Sequence, residues 1–182
     1  MQAFNNPINV DVIVIHGAPG SGKTTVARLL HEQLRSPWFE FGWIPEFQHL
    51  NPHTKISYEQ EELISFENLM LVAQNYNRRG FRNVILSDLR NHCVGKIPQA
   101  LQGSDYRIFT LYTDDETCKQ RILSRDNGNL YKDWESAQRI NREILQRPLL
   151  PNEQRICSTH ASPEEIAQQI LGGNHASIQQ PV

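Results

Sequence analysis

Residues 10–15 are β-branched and almost wholly apolar and run into Gly17, which predicts a strand buried on both faces of a sheet. The next segment, residues 24–34, places Val26, Leu29, Leu30 and Leu34 near helical spacing, and Ser36-Pro37 ends it. A short second strand is expected within residues 38–44. Ser57 and Gln60 form a capping-box pair, followed by a broad apolar face through Leu63, Ile64, Phe66, Leu69, Met70, Val72 and Ala73, so a long helix is expected to end before Gly80. Residues 83–87 and 107–112 read as further strands. Helices are predicted over 114–125 and 134–145, the second bounded by Pro148 and Pro151. A last short strand at 155–157 precedes Ser162-Pro163-Glu164-Glu165, an N-cap Ser with Pro at the first helical position and Glu closing a capping box. That helix should stop at Gly172-Gly173, leaving residues 174–182 as a flexible tail.

Strands that alternate with helices need crossovers of one hand, which yields a parallel α/β sheet with helices on both faces and ligands at the carboxyl ends of the strands. The chain of 182 residues fits one domain, and no repeat, low-complexity block or Pro/Gly-rich linker divides it. Charge adds an exclusion. With 18 Lys plus Arg against 20 Asp plus Glu, a formal charge of −2, no overall basic field favours nucleic acid or anionic lipid. The three cysteines, Cys93, Cys118 and Cys157, form no CxxC pair and fit a reducing compartment. Residues 1–9 carry no Lys or Arg of an export signal, and the apolar run after them is short and interrupted by Asp11, so a cytoplasmic chain without a membrane span is expected.

The chemistry concentrates in Gly17-Ala18-Pro19-Gly20-Ser21-Gly22-Lys23-Thr24, which matches GxxxxGK[ST] at every fixed position between a buried strand and a helix. Backbone N–H groups at such a helix start can wrap a phosphate, and the helix dipole adds favourable charge. Lys23 would meet the β- and γ-phosphates, the Thr24 hydroxyl would bind the Mg2+ that bridges them, and Thr25 is a secondary phosphate contact. A dinucleotide loop would need GxGxxG, which the spacing does not provide. Asp88, directly after the 84–87 strand, could hold a magnesium-bound water or orient Thr24; its alternative is a strand-end cap. Arg90 could reach an anionic substrate group or lie on the surface.

The DxxG and NKxD pattern of a GTPase is missing, and one short chain has little room for the added domains of large ATPases. A small-molecule kinase fits the length. It must exclude water with a lid, and residues 118–133 supply the candidate, with Arg121 and Arg125 four apart on one helical face. One could stack on adenine and the other reach the phosphates, or both could pair with Asp114, Asp115 and Glu116 as a solvated face. Arg139, Arg142 and Arg147 are weaker candidates. The acceptor region, about residues 43–62, holds Trp43, Phe47, Tyr58, Glu46, His49, His53 and Lys55. Its aromatics could stack on an acceptor ring, and Glu46 or Asp88 could take the acceptor's proton. The His49/His53 spacing is that of helical metal ligands, but Pro52 breaks a helix there and argues against zinc.

Together, the Walker A loop, Asp88, the Arg121/Arg125 pair and the segment Cys157-Ser158-Thr159-His160-Ala161-Ser162-Pro163-Glu164-Glu165 resemble the P-loop small-molecule kinases that include adenylate, shikimate and gluconate kinases. This resemblance spans residues 10–171. It implies a three-layer α/β/α P-loop fold whose five-stranded parallel sheet has order 2-3-1-4-5, with a helical lid. It also implies that the loop from Ser158 to Ser162, His160 included, wraps the adenine edge. A narrower likeness to chloramphenicol phosphotransferases lies in Ser36-Pro37-Trp38-Phe39-Glu40-Phe41-Gly42; the Asp that serves those enzymes as base falls at Ile44 here, with Glu46 two residues on. The expected function is transfer of the γ-phosphoryl group of ATP, with Mg2+, to a hydroxyl or phosphate of a small molecule such as a nucleotide, sugar acid or antibiotic. An ATP-hydrolysing switch acting through a partner and a polynucleotide 5′-kinase are the alternatives.

Overall fold

The computed structural model describes residues 8–44, 56–124 and 132–172. Its centre is β1 (Val12–Gly17), buried along its whole length. β1 pairs in parallel with β3 (Val84–Ser87) on one side and β4 (Tyr106–Tyr112) on the other. β2 (Trp38–Glu40) extends the sheet beyond β3 and β5 (Glu153–Cys157) extends it beyond β4, again in parallel, which gives the order β2-β3-β1-β4-β5. This is the sheet order implied by the kinase resemblance.

The unbroken apolar run of β1 is explained by two cores. Val12 and Val14 pack on one face with Phe66, Leu69 and Ala73 of α2 (Tyr58–Arg78). Ile13 and Ile15 pack on the other with Val26 and Leu30 of α1 (Lys23–Leu34) and with Ile166 and Ile170 of α7 (Pro163–Leu171). Two four-residue helices, α3 (Asn91–Val94) and α4 (Ile97–Ala100), lie between β3 and β4 and deliver Cys93, Val94 and Ile97 to the first core. They are too short to leave a periodic signature. α5 (Asp115–Leu123) and α6 (Trp134–Gln146) share a small cluster of Cys118, Ile122 and Ala137, against which Trp134 packs. The stretch read as a lid therefore begins inside a packed helix. No helix among the described residues is long and apolar enough to cross a membrane.

One strand begins earlier than its sequence suggests. β5 starts at Glu153, two residues before the expected Arg155, because Glu153 is a strand residue disguised by its charge. Its side chain has no exposure and is held by Arg147 through two bonds of 2.6 Å, by the Leu150 N–H at 2.7 Å and by the Thr110 hydroxyl at 2.5 Å. Burial alone would raise its pKa, but these donors carry it below the usual carboxylate range. Arg147, a weak phosphate-site candidate from the sequence, is thus committed to this pair. Removing the carboxylate leaves a partly buried guanidinium without its ion-pair partner and strips the Leu150 N–H and Thr110 hydroxyl of their acceptor, so Glu153→Ala is expected to lower stability by about 3 kcal/mol, the low end for a buried pair because Arg147 is partly exposed, measured by urea unfolding.

Candidate active site

β1 ends in Gly17, whose φ of 143° and tight surroundings exclude a side chain: a Cβ there would lie 2.3 Å from the Leu111 carbonyl oxygen of β4 and 2.6 Å from Ser21 Oγ. The loop then turns through Gly20 and Gly22, both at positive φ, and Gly22 is the N-cap of α1. A Cβ on Gly20 would come within 3.2 Å of Ile122, so α5 closes over the loop from outside.

The start of α1 differs from the start of every other long helix. α2, α5, α6 and α7 are capped by the side chains of Ser57, Asp114, Asp133 and Ser162. α1 has no side-chain cap and no acid in its first turn. Its amide donors and its dipole are left to an external anion. The Lys23 ammonium is almost buried, within 3.1 Å of the Ala18 carbonyl oxygen and 3.4 Å of Asp88 Oδ1. Thr24 and Thr25 are exposed at the same end of the helix.

Asp88 follows β3 in the left-handed region, with φ 60°, a conformation a non-glycine residue rarely adopts and one that often marks functional turns. The turn brings its half-exposed carboxylate beside Lys23, which the parallel pairing of β1 with β3 makes possible. Thr24, Asp88 and Lys23 thus form an open cluster of one hydroxyl, one carboxylate and one ammonium beneath an uncapped helix. The hydroxyl and the carboxylate are the oxygen ligands a hard divalent cation takes, and the ammonium suits the phosphates such a cation would bridge.

Arg121 on α5 reaches the loop after β5, donating to the Ser158 carbonyl at 2.7 Å, the Thr159 carbonyl at 3.3 Å and Ser158 Oγ at 3.3 Å. These oxygens are neutral, so its charge persists. Asp114 instead caps α5: the backbone N–H and hydroxyl of Thr117 hold its pKa at about 2. Asp115 binds Arg142 at 2.8 Å, and Arg139 sits 3.5 Å from Glu143, so these two arginines are engaged in surface pairs. Ser158 is buried and His160 is exposed at the mouth of that loop. Glu46, Arg125, Phe47, His49, His53 and Lys55 lie outside the described residues.

Two further polar residues escape sequence reasoning. Glu40 ends β2 in register with Ser87, and Ser87 Oγ donates to it at 3.4 Å while accepting from Trp38 Nε1 at 2.9 Å. Its signal was the acid that closes Trp38-Phe39-Glu40 at a strand's carboxyl end. His16 precedes the loop on β1, is 1% exposed, and neither ring nitrogen has a hydrogen-bond partner. An apolar neighbourhood masked it. A small pocket is lined by Phe41, Gly42, Ile44, Tyr58, Glu61, Glu62, Ser65 and Arg90. Arg90 Nε donates to Glu62 Oε1 at 2.9 Å, and His92 Nε2 lies 3.2 Å from Glu62 Oε2.

A parallel sheet of this order with a phosphate loop after its central strand defines a P-loop nucleotide-binding fold. The family model described as "AAA domain" matches residues 13–145, and the chain belongs to that family. Among solved structures the fold is similar to a gluconokinase from Sinorhizobium meliloti 1021, with 16% identity, TM-score 0.63 and coverage of 93% of this chain and 91% of that one. It is also similar to the tunicamycin resistance protein of Deinococcus radiodurans, with 19% identity, TM-score 0.62 and coverage of 87% and 92%. A third similar structure is the shikimate kinase of Acinetobacter baumannii in complex with shikimate, with 22% identity, TM-score 0.54 and 93% coverage of each chain. No curated protein matches the chain in sequence.

His16 makes the site sensitive to acid. Burial, reinforced by Lys23 and Arg147 against the opposing influence of Glu153, lowers its pKa from 6.5 to about 3. Between those values the unfolded chain binds a proton that the folded chain refuses, so stability is full above pH 6.5 and falls as the pH drops towards 3. The loss should reach a few kcal/mol, on the order of 1.4 kcal/mol per unit of displaced pKa. His16→Asn is expected to flatten that part of the profile, read as the difference between the two proteins' unfolding free energies at pH 7, 5.5 and 4.

Proposed function

We propose that this protein is an ATP- and Mg2+-dependent phosphotransferase that moves the γ-phosphoryl group to a hydroxyl of a small molecule. The observation that carries the reading is the one long helix left uncapped among the described residues, α1, opening at Gly22-Lys23-Thr24 with Lys23 3.4 Å from the turn residue Asp88. ATP would supply the phosphoryl group, and Thr24 and Asp88 would hold the Mg2+ that offsets its charge. Lys23 and the loop amides orient the β- and γ-phosphates. Arg121 fixes the loop at Ser158–His160 against α5, shapes the adenine edge and adds positive charge on the donor side. Arg125 would extend that charge from the lid. The acceptor's proton would pass to a carboxylate: the sequence offers Asp88 and Glu46, and Glu40 joins them from its place at the end of β2 beside Ser87.

The sheet order, the family match and the kinase folds among similar structures all agree with this reading. Transfer from labelled ATP to a panel of sugars, nucleosides and hydroxylated antibiotics tests it. ADP should form in step with a labelled acceptor; ADP with free phosphate alone would point to a hydrolytic switch. Lys23→Ala should lose about 100-fold or more in kcat/KM, as for deletion of a preorganised donor. Undiminished transfer by a folded Lys23→Ala variant would refute the mechanism.

A further inference from the structure

Arg90 is held at two points and open at its tip. Its Nε donates to Glu62 Oε1 at 2.9 Å, and its guanidinium carbon rests 5.5 Å from the centre of the Phe41 ring. Both anchors are themselves fixed. Glu62 is 9% exposed, with its second oxygen 3.2 Å from His92 Nε2, and Phe41 belongs to the core. One carboxylate is thus shared between two basic groups. A guanidinium carries five N–H donors, and the Nε contact uses one of them. Among the described residues, neither terminal amine of Arg90 has a hydrogen-bond or ion-pair partner, and the side chain is 43% exposed. An ordinary surface arginine loses rotamer freedom when a ligand orders it, whereas here the ring and the buried acid have already set the plane.

The paired terminal amines are the part of an arginine that matches two oxygens of one carboxylate or phosphate, and such charge-assisted forks are the strong kind of hydrogen bond. Glu62 tempers the charge of Arg90 but leaves these donors unused. Chain connectivity places them near the chemistry: Arg90 follows Asp88 by two residues, so the two Cα atoms lie no more than about 7.6 Å apart. The Asp88 carboxylate is in turn 3.4 Å from the Lys23 ammonium. Arg90 also lines the small pocket with Phe41, Gly42 and Ser65, and Glu61 in the same lining is buried and engaged elsewhere. We infer that Arg90 recognises the acceptor through its terminal amines, and that the acceptor carries a carboxylate or phosphate besides the hydroxyl that is phosphorylated. That the anion belongs to an acceptor rests on the phosphotransferase reading; that Arg90 binds an oxyanion does not.

Protein labelled with carbon-13 and nitrogen-15, its phosphate loop filled by a non-hydrolysable ATP analogue, can be titrated with acetate and with inorganic phosphate while the Arg90 Nε–H resonance, assigned through its side-chain carbons, is followed. At least one anion should shift it saturably, and sodium chloride at equal ionic strength should not. No saturable shift with either anion would overturn the inference. In a transfer assay, glucose, glucuronate and glucose 6-phosphate present one ring bearing a hydroxyl, a carboxylate or a phosphate at the same carbon. One of the two anions should exceed glucose by at least about tenfold in kcat/KM, which identifies the anion, and Arg90→Lys should erase most of that preference through KM. Glucose preferred over both anions, or a preference unchanged in folded Arg90→Lys, would overturn the inference and leave the kinase reading standing. Should that variant not fold, the ranking in the native protein and the titration decide. Transfer to none of the three with the Arg90 resonance still shifted would count against the kinase reading and uphold the anion site.

Discussion

The site depends on β1 being paired on both sides. Because Val12 to Ile15 align with Val84 to Ser87 and Gly17 aligns with Leu111, the phosphate loop must emerge where the carboxyl ends of β3 and β4 converge. Gly17 tightens this constraint, since its close approach to the Leu111 carbonyl leaves no room for a Cβ and sets the direction in which the chain departs. The rest follows from that exit. Lys23 is carried into reach of Asp88, α5 can close on Gly20, and Arg121 can bridge to the strand beyond β4. A shift of one residue in the pairing would turn β1's side chains to opposite faces and separate Lys23 from Asp88.

Charge at this end of the sheet is sorted by burial. The deepest carboxylate, Glu153, is saturated by Arg147, Leu150 and Thr110, and the deepest imidazole, His16, is neutral. Nearer the surface, Glu62 is matched by Arg90 and His92. The Lys23–Asp88 contact at 3.4 Å is looser than the bidentate Arg147–Glu153 pair at 2.6 Å, and Asp88 is half exposed. A pair of this kind can reorganise around a polyanion and a divalent cation at little cost, whereas the Glu153 pair cannot. The near-neutral total of −2 describes an average over regions with quite different duties.

Much of this was legible in the chain because the strongest signals are local. A buried strand, a glycine loop, a lysine and a helix lie within residues 10–34, and the capping boxes at Ser57 and Ser162 mark their helices directly. Asp88 could be read from its position after an apolar strand. What escaped reading was set by tertiary partners. Glu153 looked like loop because its acceptor oxygens are satisfied by residues as distant in sequence as Thr110. Arg142 and Arg147 looked available because nothing local reveals Asp115 or Glu153 opposite them. His16 and Glu40 were overlooked because a polar residue in a strand is ordinarily assigned to a solvent face, and here the sheet is covered on both sides.

The comparison with gluconokinase and shikimate kinase folds shows how little of the chain this architecture requires. At identities of 16% and 22%, nearly the whole length still superposes in topology. In this chain the requirements are geometric: apolar residues on both faces of β1, glycine where β1 meets β4, and a cation and an acid placed by adjacent parallel strands. None of these sets the charges of the first turns of α2 or of the short segment after β2, although Phe41 of that segment is itself part of the core. Phe41, Glu61 and Glu62 sit in those segments. The phosphate loop is therefore tied to the fold's stability, while the residues at the start of α2 are under no such constraint. Similarity of fold thus carries over the architecture and not the chemistry of the segments around Arg90 and Glu62.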